Sequence, residues 1–441
     1  MKMREHALAI FNAAVSAVQP SCLLPKNICL EGNKLLLHDQ YFSLKDLEHI
    51  YVIGAGKASA SMALETEKIL GEHITKGIIV TKYHHSLPLQ KIKCIEGGHP
   101  LPDENSVLAA REILELVKQA GEKDLIIALI SGGASSLLAD HPPGTTLDEV
   151  QDLFRLLLNS GATINEMNVV RKHLSLIKGG QLAKEAYPAI LVSFILSDVI
   201  GDALDVIASG PTVGDPTNFK DAYTILQKYN LVEKLHPAVD AWMRKGLQGE
   251  VSDTPKPGDY LLEKAFNHII GANRIALEAA AVKAEELGFV PFIVTDKLNG
   301  EANEEAKKLI EYISMYRGAR PACILLGGET TVTIKGNGKG GRNQQFALAA
   351  LEQLVKNTNV EAIRNSLILS AGTDGSDGPT EVTGAMVDME TIDKTSELGL
   401  DISSFLDNND SYHFFAKTGG HIITGATQTN VMDIVIVLVS A

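Results

Sequence analysis

The feature that most constrains this chain is a recurring unit, a short apolar run that stops abruptly at glycine, serine, threonine or aspartate. Tyr51-Val52-Ile53 stops at Gly54, Leu125 to Ile130 at Ser131, and Ile190 to Leu196 at Ser197-Asp198. The second half repeats the pattern with His268-Ile269-Ile270 before Gly271, Phe292-Ile293-Val294 before Thr295-Asp296, Cys323 to Leu326 before Gly327, and Leu367-Ile368-Leu369 before Ser370. Such runs, with no polar alternation, read as buried strands. Helical stretches lie between many of them, including Ala58 to Leu70, Ser106 to Gln119, Arg274 to Leu287 and Glu301 to Met315. The alternation predicts an α/β chain of mainly parallel sheets with helices on both faces.

At 441 residues the chain is long enough for two or three filled cores. Pro255, Pro257 and Gly258 sit in a polar stretch, 252–259, that reads as the linker. The expected division is therefore an N-terminal Rossmann-like domain over 1–255 with a mainly parallel sheet and a C-terminal α/β domain over 256–441, chain crossover between them being left open. Ile434 to Val439 is expected to pair inside a sheet. The start, Met1-Lys2-Met3-Arg4 and an apolar stretch, imitates a signal peptide, but Glu5, His6, Asn12 and Ser16 interrupt it. Leu8, Phe11, Val15 and Val18 recur at helical spacing and predict an amphipathic first helix.

The formal net charge of −14 sets a field that repels phosphate backbones and anionic lipid heads, which argues against nucleic-acid or membrane-surface binding as the main role. A small anionic substrate would need a local basic cluster, helped by a metal ion. Cys22, Cys29, Cys94 and Cys323 have no zinc-knuckle spacing and fit a reducing, cytoplasmic setting.

In α/β sheets ligands bind beyond the carboxyl ends of strands, so the strand-end residues are the shortlist. Gly54-Ala55-Gly56-Lys57-Ala58-Ser59 delivers a lysine to a candidate anion site. It is not a dinucleotide fingerprint, because Ser59 stands where glycine is needed and the next strand ends in Thr81-Lys82 with no acid for a ribose. It is not a standard P-loop either, since Tyr51 and Ala58 occupy the glycine and Ser/Thr positions. Ser131-Gly132-Gly133-Ala134-Ser135-Ser136 repeats the device with hydroxyls in place of charge. Asn168 to His173, with Lys178 behind it, concentrates positive charge as either a solvated helix face or a phosphate-facing cluster.

Asp198 and Asp202, at the end of the 190–196 run, suit Mg²⁺ or general-base work; turn and cap duty is the plain alternative. Gly336 to Gly341, preceding Arg342 and a predicted helix over 343–354, reads as a loop that closes over a ligand. Asp374 and Asp377 lie in a stretch that lacks the glutamate of an EF-hand, leaving Mg²⁺ or turn formation. His99 and His421 sit in turn-like surroundings, and Gly-x-Ser-x-Gly is absent. The inventory points to Mg²⁺-assisted phosphoryl transfer on an anionic small molecule.

Gly54 to Ser59, Gly98-His99-Pro100-Leu101-Pro102-Asp103, Leu129 to Ser136, Ser209-Gly210-Pro211-Thr212, Gly340-Gly341-Arg342-Asn343-Gln344 and Gly372 to Gly378 together resemble the motifs of class II glycerate kinases, the glycerate 2-kinase family with a C-terminal MOFRL domain. Their order agrees, and with Lys417-Thr418-Gly419 they span nearly the full chain. The resemblance implies ATP-dependent phosphorylation of D-glycerate at its 2-hydroxyl, with Mg²⁺, in a cleft between two α/β domains that Lys57 and Arg342 line.

On that footing Lys57, Arg342 and Asp198 are the expected catalytic residues. Gly54, Gly56, Ser131, Gly132, Gly133, Ser135, Gly340 and Gly341 are expected to bind nucleotide, and Asp374 and Asp202 to hold metal, with Glu329 and Asp377 in reserve. The expected partners are glycerate and ATP, with no nucleic acid and no membrane; a homodimer is left open. Members of the family have also been labelled hydroxypyruvate reductases, which would be NAD(P)H enzymes. The absent glycine and ribose carboxylate count against that reading, and a non-catalytic sensor is the third alternative.

Overall fold

The computed structural model describes residues 2–358 and 360–440. Strands β1 (Ile28–Glu31), β2 (Lys34–Leu37) and β3 (Gln40–Ser43) form a small antiparallel sheet whose register pairs Ile28 with Leu37 and Leu37 with Gln40.

The first large sheet is built from β4 (Ile50–Ala55), β5 (Lys76–Lys82), β6 (Ile92–Gly97), β7 (Leu125–Ile130), β8 (Ile190–Leu196) and β9 (Ala265–Gly271), in the order β6-β5-β4-β7-β8-β9. Every pairing from β6 through β8 is parallel. β4 and β7 are buried at all six positions because they sit in the middle, which is why their sequences lack alternation. The chain order reverses direction across the sheet between β4 and β7, so the loops after these two strands open side by side at one edge. The core around them includes Ile53, Val80, Ile113, Ala128 and Leu182.

The second large sheet contains β10 (Val290–Glu301), β11 (Ala322–Thr331), β12 (Ser366–Gly372), β13 (Gly384–Val387), β14 (His421–Ile422) and β15 (Asp433–Val439), ordered β10-β11-β15-β12-β13-β14. Here the expectation of a mainly parallel sheet is corrected. Only β10 and β11 run parallel, and the remaining four pairings are antiparallel. The cause is β15, which is buried at all seven positions and slots between β11 and β12, antiparallel to both. Its placement inside a sheet agrees with its apolar sequence.

The chain divides into two compact units, Leu23–Ile270 and Met1–Cys22 with Gly271–Ala441. The boundary thus falls at the end of β9 and not near residue 255, and the first 22 residues belong to the second unit. The proline-rich stretch that suggested a linker packs inside its own unit. Asp215 N donates to Pro255 O at 2.9 Å, Thr254 Oγ1 donates to Asp215 Oδ2 at 3.1 Å, and Lys256 Nζ donates to Thr217 O. Prolines there shape an extended segment whose polar groups are satisfied locally.

The first helix, Lys2–Ala17, buries Ala7, Ile10, Phe11, Ala14 and Val15. It lies on the helix Asn273–Glu286. Arg4 anchors it by pairing with Asp388, Nε to Oδ2 at 2.7 Å and NH2 to Oδ1 at 2.6 Å. Among the described residues no single helix is long and apolar enough to cross a membrane, and the four cysteines are free.

Candidate active site

Two loops at the edge of the parallel sheet are laced together. The loop after β4 carries Lys57, and the loop after β7 carries Ser131 to Ser136. Lys57 N donates to Gly132 O at 2.9 Å, Ala58 N to Ser131 Oγ at 3.0 Å, and Ser59 Oγ lies within hydrogen-bond reach of Gly56 O and Val80 O. A Cβ on Gly54 would stand 2.7 Å from the Leu129 carbonyl oxygen, and one on Gly56, at φ +130°, 2.2 Å from Ser131 Oγ. Gly54, Gly56 and the buried Ser131 therefore let the two loops pack directly on each other.

Gly133 is different. At φ +86° it opens the short helix Ala134–Leu137, and a Cβ there would lie 2.9 Å from the His99 ring and 3.4 Å from Lys57 Cγ. Lys57, His99 and the Gly133 backbone thus share one corner.

Next to that corner is a cavity of about 260 Å³. Pro100, Ser135, Ser136, Asp140, Phe154, Arg171 and Lys178 are among its lining residues. Ser135 is the one member of the expected nucleotide set that lines it.

The basic stretch 168–178 is neither a solvated face nor a uniform cluster. Lys172 is buried between Asp205 at 3.3 Å and Asp215 at 3.5 Å, and His173 Nε2 meets Asp253 Oδ1 at 3.1 Å. Lys178 is also buried; it donates to Leu138 O at 2.6 Å and approaches Asp140 Oδ1 at 3.3 Å. Burial pushes the Lys178 ammonium below its ordinary range against the pull of Asp140, and the nearby Arg171 charge adds to the effect. Arg171 itself donates to Asn168 Oδ1 at 2.5 Å and stacks over Phe154 at 4.8 Å, and burial lowers its pKa. Asp140 escaped the sequence reading because nothing in its spacing links it to these motifs, whereas Asn168 and Ser209 stood in stretches that were singled out without being assigned a site role.

Asp198 and Asp202, both half-buried, follow β8 in a tight turn in which Asp202 N donates to Val199 O at 3.0 Å. Asp202 takes a left-handed φ of +55°, an unusual conformation for a residue other than glycine.

In the other unit the helix Arg342–Lys356 begins at the carboxyl end of the glycine-rich loop. Arg342 does not present an open fork to solvent. Its Nε donates to Asp433 Oδ2 at 2.6 Å, NH2 to Asp433 Oδ1 at 3.0 Å, and NH1 lies 2.7 Å from Glu329 Oε1. Burial would lower its pKa, but the charge and hydrogen bonds of Asp433, with Glu329 and Asp377, outweigh this and raise it. Asp433 is a site residue that the sequence reading missed; its only signal is an acid opening an otherwise wholly apolar strand.

Asp377, the reserve metal ligand, caps this helix. Its buried carboxylate accepts from Asn343 N and Nδ2 and from Gln344 N and Nε2, at 2.9 to 3.3 Å. Burial nevertheless holds its pKa above the ordinary range, with Asp433 adding to the rise. Asp374 closes an Asx turn, accepting from Ser376 N and Oγ at 3.0 Å each, and stays partly exposed. Among the described residues the His, Cys, Asp and Glu groups close enough to share a metal do not include Asp198, Asp202 or Asp374. An all-oxygen, partly exposed strand-end carboxylate still fits Mg²⁺, which takes one or two protein acids and completes its shell with water and phosphate oxygens.

The 336–341 loop is pinned rather than open. Gly338 N donates to Asn408 O, Lys339 N to Asp410 Oδ1, and Lys335 N and Gly336 N to Asn409 Oδ1. A Cβ on Gly340 would stand 2.2 Å from Ser411 Oγ, and one on Gly341 2.3 Å from Asp377 Cγ. The missing side chains of these two glycines thus admit the neighbouring segments.

Comparison with known proteins agrees with the motif order. The family model described as a domain of unknown function (DUF4147) matches residues 6–244, and the MOFRL family model matches 322–433. A glycerate 2-kinase of Pyrococcus horikoshii is 41% identical, the match covering 100% of this chain and 98% of that protein. An Agrobacterium vitis protein with the provisional name hydroxypyruvate reductase is 39% identical over 98% of this chain and 93% of its own length. The crystal structure of a glycerate kinase from Thermotoga maritima superposes with a TM-score of 0.86 at 38% identity, over 99% of each chain. By sequence along its whole length and by fold, this chain belongs to the glycerate kinase family that carries a MOFRL region.

Proposed function

We propose that this protein transfers the terminal phosphoryl group of ATP to the 2-hydroxyl of D-glycerate, giving 2-phosphoglycerate and ADP. The observation that carries the reading is the full-length match to a glycerate 2-kinase, in which every motif of the two laced loops and of the Arg342 segment lies inside the aligned span. Lys57 is assigned to the phosphoryl oxygens, where its ammonium offsets charge that accumulates during transfer. Asp198 is assigned to accept the proton leaving the 2-hydroxyl. Asp374 or Asp202 would hold Mg²⁺, which would supply charge neutralisation on phosphate oxygens when bound. Arg342 is assigned the task of fixing Glu329 and Asp433, the two carboxylates its fork already spans.

The reductase reading lacks structural support at the two places where it makes demands. Ser59 fills the third glycine position and bonds back to Gly56 O and Val80 O, and β5 ends in Thr81-Lys82. The test is a coupled assay on the purified chain, with ADP formation followed as D-glycerate is added and the phosphorylated position read by NMR. Glycerate-independent ATP consumption, or NADH oxidation by hydroxypyruvate in its place, would overturn the proposal.

A further inference from the structure

Arg171 is an anomaly in an acidic protein. Its neighbours in sequence, Lys172 and His173, each meet an aspartate, and Lys178 meets Asp140. Arg171 has no carboxylate within ion-pair distance among the described residues, although it is partly buried and lines the 260 Å³ cavity. Asp140, on the same cavity wall, is engaged elsewhere: it accepts from Ser175 Oγ at 2.6 Å, from Leu176 N and from Lys178 Nζ. Placement in the last turn of the helix Ile164–His173 offsets part of the cost of burial. A guanidinium that is always charged and has several donors left over is a receptor for an oxyanion from outside the protein.

The hydroxyls beside it define what else the ligand carries. Asn168 Oδ1 accepts from Arg171, so its oxygen faces the donors. Ser209 Oγ donates to the same oxygen at 3.2 Å. Ser209 has then used its one proton, and the 3.0 Å contact between Ser135 Oγ and Ser209 Oγ must take its proton from Ser135. Ser136 Oγ likewise donates to Pro100 O at 2.7 Å. Both cavity serines are left with lone pairs only. Ala208 and Ser209 take left-handed φ of +54° and +60°, so the surrounding chain holds Ser209 in an uncommon backbone state. Phosphate oxygens would find a cation here but no use for serine lone pairs; a hydroxy acid offers an anion to Arg171 and a hydroxyl proton to Ser135.

We propose that Arg171 and Ser135 form the subsite that recognises the acceptor as a hydroxy acid, its carboxylate on the Arg171 fork and a hydroxyl donating to Ser135 Oγ. That the acid is D-glycerate rests on the kinase reading. The subsite adjoins Lys57 through the chain: Ser135 follows Gly133, whose missing Cβ faces both His99 and the Lys57 stem.

The test is calorimetric titration of the full chain with D-glycerate, alone and with a non-hydrolysable ATP analogue plus Mg²⁺, for wild type, Arg171→Ala and Arg171→Lys. Thermal melts check that each variant folds, and Arg171→Lys stands in if the alanine variant does not. Loss of a charge-assisted bidentate contact should weaken D-glycerate about tenfold to a hundredfold. Glycerol, with the hydroxyls but no carboxylate, should bind equally weakly to wild type and variant. Unchanged glycerate affinity in the variants overturns the subsite, as does a loss confined to the ATP analogue or an equal loss for glycerol. Wild type that binds glycerate through Arg171 yet turns over no ATP would sink the kinase reading and leave the subsite standing.

Discussion

Arg342 grips Asp433 through a two-bond fork, Nε to Oδ2 at 2.6 Å and NH2 to Oδ1 at 3.0 Å, while its third nitrogen reaches Glu329 at 2.7 Å. One planar group thus bridges the end of β11 and the start of β15. A lysine has a point charge and cannot span both acids. Arg342→Lys should therefore lower kcat/KM nearly as much as Arg342→Ala, by roughly 10² if the held acids serve the transition state. Steady-state assays of the two variants check this; a lysine variant close to wild type would mean that the arginine contributes only diffuse charge.

Lys57 extends from a loop whose backbone is tied to Gly132 and Ser131, so truncating its side chain leaves the loop's own bonds in place. Lys57→Ala should keep the wild-type melting temperature and circular dichroism while kcat/KM falls by about 10² or more. Near-normal turnover would remove Lys57 from the mechanism.

The carboxylates Asp374 and Asp198 are assigned different tasks, and the two substitutions should separate them. Asp374→Asn should raise the Mg²⁺ concentration needed for half-maximal activity, whereas Asp198→Asn should depress kcat even at saturating Mg²⁺. Titrating activity against Mg²⁺ for both variants distinguishes these outcomes. Wild-type metal dependence and rate in both would reject the assignment.

Asp388 caps the helix Met389–Glu397 and accepts from two of the three guanidinium nitrogens of Arg4, Nε and NH2. Burial acts to raise its pKa, but the Arg4 hydrogen bond and charge outweigh it, so the folded-state pKa lies below the ordinary value. A depressed carboxylate pKa contributes stability above the unfolded pKa of about 3.9 and loses it as pH falls through the folded value. Asp388→Asn keeps a capping oxygen and removes the charge. It should cost about 1–2 kcal/mol in urea unfolding at pH 7, between the values for exposed and buried pairs. The difference from wild type should close at a pH below the folded pKa; a constant difference across pH would show that the ion pair contributes nothing.

Much of the local structure was legible because it depends on local properties. Unbroken apolar runs become β4, β7, β8 and β15 since a strand covered on both faces of its sheet buries side chains of either direction, and the glycine, serine or aspartate after β4, β7 and β8 marks where the chain must turn. The same logic placed Lys57, Arg342 and Asp374 at the ends of elements.

What the pattern could not carry is anything set by partners distant in sequence. β15 reads equally well as a parallel strand, and only its insertion between β11 and β12 decides its direction. Pro255 and Pro257 look like a linker until Asp215 satisfies the chain beside them. Ser411 and Asp377 fill the space that the missing side chains of Gly340 and Gly341 leave, a packing partnership that no spacing in the sequence announces. Lys172 and Arg171 are adjacent and chemically alike in the sequence, yet one is neutralised by Asp205 and Asp215 while the other lines a cavity with no carboxylate within ion-pair distance among the described residues. Residue type and spacing determine which group stands at the end of an element. Charge balance and close packing act through space, so only the tertiary structure decides which of those groups remain available to a ligand.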